Sequence, residues 1–243
     1  MKVVASITAR LLLGSKRAAA VAIVLLIPVA IAIVFRFSDE YHRTNRGDFA
    51  IDLTSTLILA LLLPLVALVL GTTAIGTEIE DGTVVFLLSK PVSRPALLAT
   101  KAFVAALATV ILAVPTTVAT AWIITGSAGD GGIVAGLGLA ALVASVVYTV
   151  LFAALSTVTG RALIAGLIYV FVWEGVLANL FSGLAWLSVR QYALGVADAA
   201  ISLTWFSADL STTSAVVMAL IAVAGALWIG GRKLAAFEIG ERA

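Results

Sequence analysis

Glu174 is the one carboxyl group set deep in an apolar stretch of this chain, about 12 residues past the start of the run 162–186. At 1.5 Å per helical residue that is roughly 18 Å along the segment. A charge at such depth in a bilayer costs on the order of 3 kcal/mol on insertion scales. The group must therefore be protonated, hydrogen-bonded across a helix interface, or open to a water-filled path. Trp173 and Asn179 could extend a polar strip on the same helix. These three residues are candidates for a substrate path or a gate, and the alternative is a buried hydrogen bond between helices or subunits. Other chemistry is missing. There is no Gly-x-x-x-x-Gly-Lys-Ser/Thr phosphate loop, which removes nucleotide binding of the P-loop kind. The single histidine, His42, has no partners at metal-ligand spacing, and with no cysteine there are no thiolate sites or disulfides. No cofactor or metal is expected in this chain.

The second constellation lies in residues 76–101. Six charged residues (Glu78, Glu80, Asp81, Lys90, Arg94, Lys101) surround a bare apolar cluster from Val84 to Leu88. A water-facing loop gains nothing from such a cluster, and exposed apolar patches mark contact surfaces. Val84, Leu87 and Leu88 stand at i, i+3 and i+4, so they share one helical face that fits a partner's groove. Pro91 ends that helix, and Pro95 suits the first turn of the next. Arg94 pairs with Glu78 or Glu80 to stiffen the bend, or these residues touch the partner directly. The competing reading is an amphipathic segment resting on the bilayer surface.

This segment resembles the first cytoplasmic loop of ABC-2 type transporter permeases. The features that carry the likeness are Glu78, Gly82-Thr83, Val84 to Ser89, Pro91-Val92-Ser93-Arg94 and Lys101, in that order. It is similar in style to the permeases of drug-export and nitrous-oxide-reductase-maturation systems. The resemblance implies a coupling helix that docks separate ATPase subunits, which would bind ATP and magnesium. Glu78, Glu80, Val84, Leu87, Leu88, Ser89 and Arg94 are then the coupling residues. It also implies a second permease copy, with a homodimer expected, and alternating access as the mechanism.

The elements that must position these residues are membrane helices. The chain is 62 % hydrophobic and 12 % charged, against about 25 % charged in soluble domains. Apolar runs of about 20 residues predict spans over 18–36, 53–75, 102–125, 133–156, 162–186 and 214–231. The expected fold is a single all-α membrane domain of six transmembrane helices. A coupling helix lies between helices 2 and 3, and residues 1–17 form either an interfacial amphipathic helix or a basic lead-in. The run ending at Arg36 has no small-x-small cleavage site, so it reads as a retained helix. Eight ionisable groups between Arg36 and Asp52 predict a solvated loop. Residues 187–213 read as interfacial, with Tyr192 and Trp205 at headgroup level. Gly132-x-x-x-Gly136 allows a close helix approach.

Eleven of the fifteen Lys and Arg residues fall on the side of the termini and the 76–101 loop, and four on the other. The positive-inside rule then places both termini and that loop in the cytoplasm of a plasma or inner membrane. The pI near 9.1 follows from this asymmetry. No basic patch is interleaved with aromatics, so nucleic acid is not an expected partner. Two other functions fit the composition. A secondary transporter or channel would use Glu174 as a proton site, and a membrane immunity or scaffold protein would transport nothing. An apolar path favours export of a hydrophobic or amphipathic substrate.

Overall fold

The computed structural model describes residues 16–80, 94–126, 131–180, 182–203 and 206–235. Everything described is helix, turn or connecting loop, with no strand among the described residues. Helix α1 is Lys16–Arg36, and a 3₁₀ turn over Asp39–His42 follows it. Helix α2 runs continuously through Arg46–Leu53, a π-helical stretch Thr54–Leu62, and Leu63–Glu80. Next come α3 (Arg94–Thr125) and α4 (Ile133–Val158). Helix α5 comprises Ala162–Ile168, a second π-helical stretch Tyr169–Leu177, and Ala178–Leu180. A 3₁₀ turn Ser182–Leu187, α6 (Val189–Ala197) and α7 (Thr212–Ala235) complete the order. Among the described residues five helices are long and apolar enough to cross a membrane, namely α1, α2, α3, α4 and α7, and the chain is a multi-pass membrane protein. The apolar stretch of α5, Ala162–Leu177, is shorter than these.

Local chemistry accounts for where the helices begin and break. Helix α2 starts at Arg46, ahead of the 53 expected from charge density. Asn45 caps it by accepting from the Gly47 amide at 3.1 Å, and an N-cap of this kind stabilises a helix start by about 1 kcal/mol. Phe49 stacks on Phe35 at 4.0 Å between ring centroids, and Ala50 and Ile51 are buried. Part of the expected solvated loop is thus the first turns of a helix. Pro64 lacks an N–H, and its ring opposes the carbonyl four residues back. The π stretch lies directly before it and takes up the mismatch. Helix α3 begins at Arg94, with Pro95 in its first turn, where the missing donor costs nothing.

Helix α4 is the centre, packed by α2, α3, α6 and α7, while α1 lies on α3. Small residues permit this closeness. A Cβ on Gly71 would stand 2.8 Å from the Thr149 carbonyl oxygen, so α2 and α4 meet backbone to backbone. Gly136 faces Ile201 and the Ala197 carbonyl. The Gly132-x-x-x-Gly136 pattern therefore serves the α6 end rather than another spanning helix. Many hydroxyls in the spans bond within their own helix, as Thr72 to the Leu68 carbonyl (2.6 Å), Thr117 to Ala113 (2.8 Å) and Ser145 to Ala141 (2.6 Å), while Thr149 reaches Thr109 of α3 at 3.0 Å. Lipid offers no other acceptor, so such back-bonding satisfies them.

Candidate functional site

Two polar assemblies stand out, one halfway along the helices and one at the end that carries residues 81–93. The first is built on Glu174, which is completely buried. It lies in the π stretch of α5, where i→i+5 bonding rotates Tyr169 toward it, an alignment an α-helix would not give. The Tyr169 hydroxyl donates to Glu174 Oε1 at 3.0 Å. The other donors come from across the turn. Ser188 Oγ donates to Oε2 at 2.7 Å, and the Val189 amide donates to Oε1 at 2.8 Å.

The reason is the backbone of 182–189. After α5 the chain folds back through the 3₁₀ turn, and α6 packs inside the fold against α4 and α7. The first amides of any helix have no intrahelical acceptor, and at membrane depth water cannot supply one. Glu174 takes the first amide of α6, and Ser188 Oγ accepts from Gln191 N at 3.3 Å. A carboxyl group at a helix N-terminus also meets the positive end of its dipole. The turn's carbonyls are served likewise. Trp173 Nε1 donates to the Leu187 carbonyl at 3.1 Å, and the Tyr192 hydroxyl to that of Trp186 at 2.6 Å. Tyr192 is thus buried (3 % exposed) within the fold. The Tyr148 hydroxyl is buried with no hydrogen-bond partner among the described residues.

The second assembly is the start of α3. Arg94 Nη1 donates to the Ala235 carbonyl at 2.7 Å and to that of Leu234 at 3.3 Å, at the C-terminal end of α7. Seven residues on, Lys101 is 2 % exposed and donates to the Ala74 carbonyl of α2 at 3.3 Å. Between them Leu98 is enclosed by Ile75 of α2 and Leu234 of α7. Gly230 and Gly231 let α7 rest directly on Leu98 and Pro95. Thr157 of α4 adds a bond to the Gly230 carbonyl at 3.3 Å. Four helix ends are joined here, immediately after the segment singled out in the sequence.

Of the residues expected from sequence, Glu174 and Trp173 are brought together on one turn. Asn179 falls in the helical Ala178–Leu180 segment, and its side chain is outside what is described. Arg94 is turned to the last helix of its own chain. Glu78 and Glu80 end α2, their side chains again outside the description. Val84, Leu87, Leu88 and Ser89, with the expected coupling helix, lie outside the described residues, as do 1–15. Sequence reasoning missed Ser188, Tyr169 and Tyr192. A signal existed for the first, because Ser188-Val189-Arg190-Gln191 has the Ser-x-x-Gln form of a capping box.

The sequence model of one family, described as ABC-2 family transporter protein, matches residues 7–230. No curated protein and no solved structure matches the chain.

Proposed function

The chain belongs to the ABC-2 family of transporter proteins and is a membrane permease of that kind, and we propose that it forms the translocation path of an ATP-driven exporter. Separate ATPase subunits dock on residues 81–93 from the cytoplasm, and both termini lie on that side. Two permease copies enclose the path, six spans each, with α5 as the sixth. The chain contributes no hydrolytic chemistry, and ATP with magnesium is bound by the partners. The cargo is hydrophobic or amphipathic, in keeping with the apolar surfaces of the spans.

The observation that carries this reading is the family match over 7–230. The joined helix ends at Arg94–Lys101 support it physically. A partner that closes on ATP must grip something continuous with the membrane helices, and residues 81–93 connect directly into that unit. Glu174 and Trp173 act on transport by holding the turn 182–189 closed, as a gate element, instead of by touching solute. Glu78, Glu80, Val84, Leu87, Leu88 and Ser89 remain the proposed coupling residues.

The test is affinity purification of the tagged permease from its native membrane, with ATPase subunits identified by mass spectrometry and by nucleotide hydrolysis. Wild type retains them, and Leu87→Asp releases them while the permease stays in the membrane. Retention by the Asp variant, or no ATPase with wild type, overturns the docking reading.

A further inference from the structure

The last helix is fastened at both of its ends, to elements far apart in sequence and in depth. At one end Arg94 holds the Leu234 and Ala235 carbonyls, and Gly230 and Gly231 seat α7 on Leu98 and Pro95. At the other, Ala215 and Leu210 press on Gly195 of α6, where an added Cβ would come within 2.7 Å of the Ala215 Cβ. Helix α6 in turn begins on Glu174, through Ser188 and Val189. Between these ends, Val216, Val217, Leu220, Ile221, Trp228 and Ile229 are exposed. The outward side of α7 is thus unattached within the chain, whereas its two ends are packed without slack.

We propose that α7 is the connecting rod of this permease, and that Arg94 is the positioning residue that latches it to the docking segment. The inference rests on the docking reading above. Displacement of 81–93 moves the start of α3. The latch carries that movement into α7, and α7 delivers it through Gly195 to α6 and the turn held by Glu174. A helix is stiff along its axis, so one 24-residue element bridges roughly 36 Å at 1.5 Å per residue. Arg suits the latch because its Nη1, which serves both carbonyls, is held in a rigid planar guanidinium, whereas Lys offers a flexible ammonium. The Leu234 and Ala235 carbonyls lie in the last described turn of α7, so the bond holds the helix backbone itself.

The chain contains no cysteine, which makes paired spin labels straightforward. One pair, at exposed Phe103 and Lys233, reads the latch. A second, at Leu139 of α4 and Val217 of α7, reads the far end of the rod. The permease–ATPase complex is reconstituted in lipid nanodiscs and measured without nucleotide and after trapping with ATP and vanadate. In wild type the 103–233 distance is narrow and unchanged by trapping, while the 139–217 distance shifts. In Arg94→Gln the 103–233 distribution broadens and the 139–217 shift is lost, with ATPase subunits still bound. Arg94→Lys falls between. Leu98→Ala, which loosens the same joint without touching the arginine, reproduces the lost shift and guards against a folding defect in one variant. A full 139–217 shift in Arg94→Gln with its subunits bound overturns the rod. Failure of wild type to hold ATPase subunits overturns the docking reading instead.

Discussion

Replacing Glu174 separates a carboxyl group that holds backbone from one that carries protons. Three donors converge on it, the Tyr169 hydroxyl, the Ser188 hydroxyl and the Val189 amide. Glu174→Leu leaves all three without that acceptor inside a dry region. An unsatisfied buried donor costs about 1–3 kcal/mol, although hydrogen bonds measured inside membrane proteins average nearer 0.6 kcal/mol because alternatives are found. The Val189 amide has the fewest alternatives, being fixed at a helix start. We therefore expect Glu174→Leu to lose about 3 kcal/mol, taking the lower end for each group. Glu174→Gln keeps one oxygen for Tyr169 and Val189 and fails only toward Ser188, so it loses about 1 kcal/mol, one net hydrogen bond. The assay is reversible unfolding in mixed micelles, paired with hydrogen exchange at the Val189 amide. Exchange there accelerates strongly in Leu and little in Gln. Two results refute the reasoning: Leu as stable as wild type, or Gln stable and protected yet dead in transport. The second would assign the group to proton chemistry and not to the turn.

Two further substitutions probe the same physics elsewhere. Ser188→Ala removes both the cap on Gln191 and a donor to Glu174, and should cost about 1–2 kcal/mol; Ser188→Thr, which keeps the hydroxyl, should cost much less in the same unfolding assay. Gly71→Ala places a Cβ 2.8 Å from the Thr149 carbonyl oxygen and 3.2 Å from the Ala153 nitrogen. Neither is a flexible side-chain end, so α2 and α4 must separate, at about 1–3 kcal/mol. A lowered midpoint in detergent thermal denaturation checks it, and an unchanged midpoint would mean the contact is looser than described.

What could be read from the chain divides by the kind of group involved. Spans were legible because long apolar runs have a length that only a bilayer explains. Glu174 was legible because a carboxyl group in such a run must be compensated. Its donors were not: Tyr169 lies five residues earlier and faces it only through the π stretch, while Ser188 and Val189 lie fourteen and fifteen residues onward and meet it because the chain doubles back after Leu180. The π stretches were also invisible. Residues 54–62 and 169–177 are apolar on nearly every side, so their sequence carries no period to distinguish one helical pitch from another. The start of α2 was readable in principle, through Asn45 as a cap with Asp48 in the first turn, but the density of charge drew the boundary inward. Arg94 was singled out in the sequence, but its bonds to the end of α7 were not. Its acceptors are main-chain carbonyls 140 and 141 positions away, and every residue has a carbonyl, so no side-chain pattern announces that contact.

That last point extends to most polar side chains that cross between elements here. Arg36 donates to the Ile123 carbonyl, Lys101 to Ala74, Arg94 to Leu234 and Ala235, and Thr157 to Gly230. Trp173 and Tyr192 serve the carbonyls of Leu187 and Trp186. Cations and long donors therefore collect near helix ends and at the folded-back turn, where they take main-chain carbonyls; those of Ala74 and Gly230 lie within their helices and accept on a second lone pair. Glu174 performs the complementary task, since α6 is the helix that begins inside the packed fold and so exposes an amide where water is absent. A carbonyl retains some capacity when one donor is lost, because it has two lone pairs, whereas an orphaned amide has a single proton to place. The two charge signs are thus not interchangeable in their consequences. Cations fasten ends that can loosen by degrees, as a latch under load must, while Glu174, the one buried carboxyl group among the described residues, holds a turn that is either made or broken.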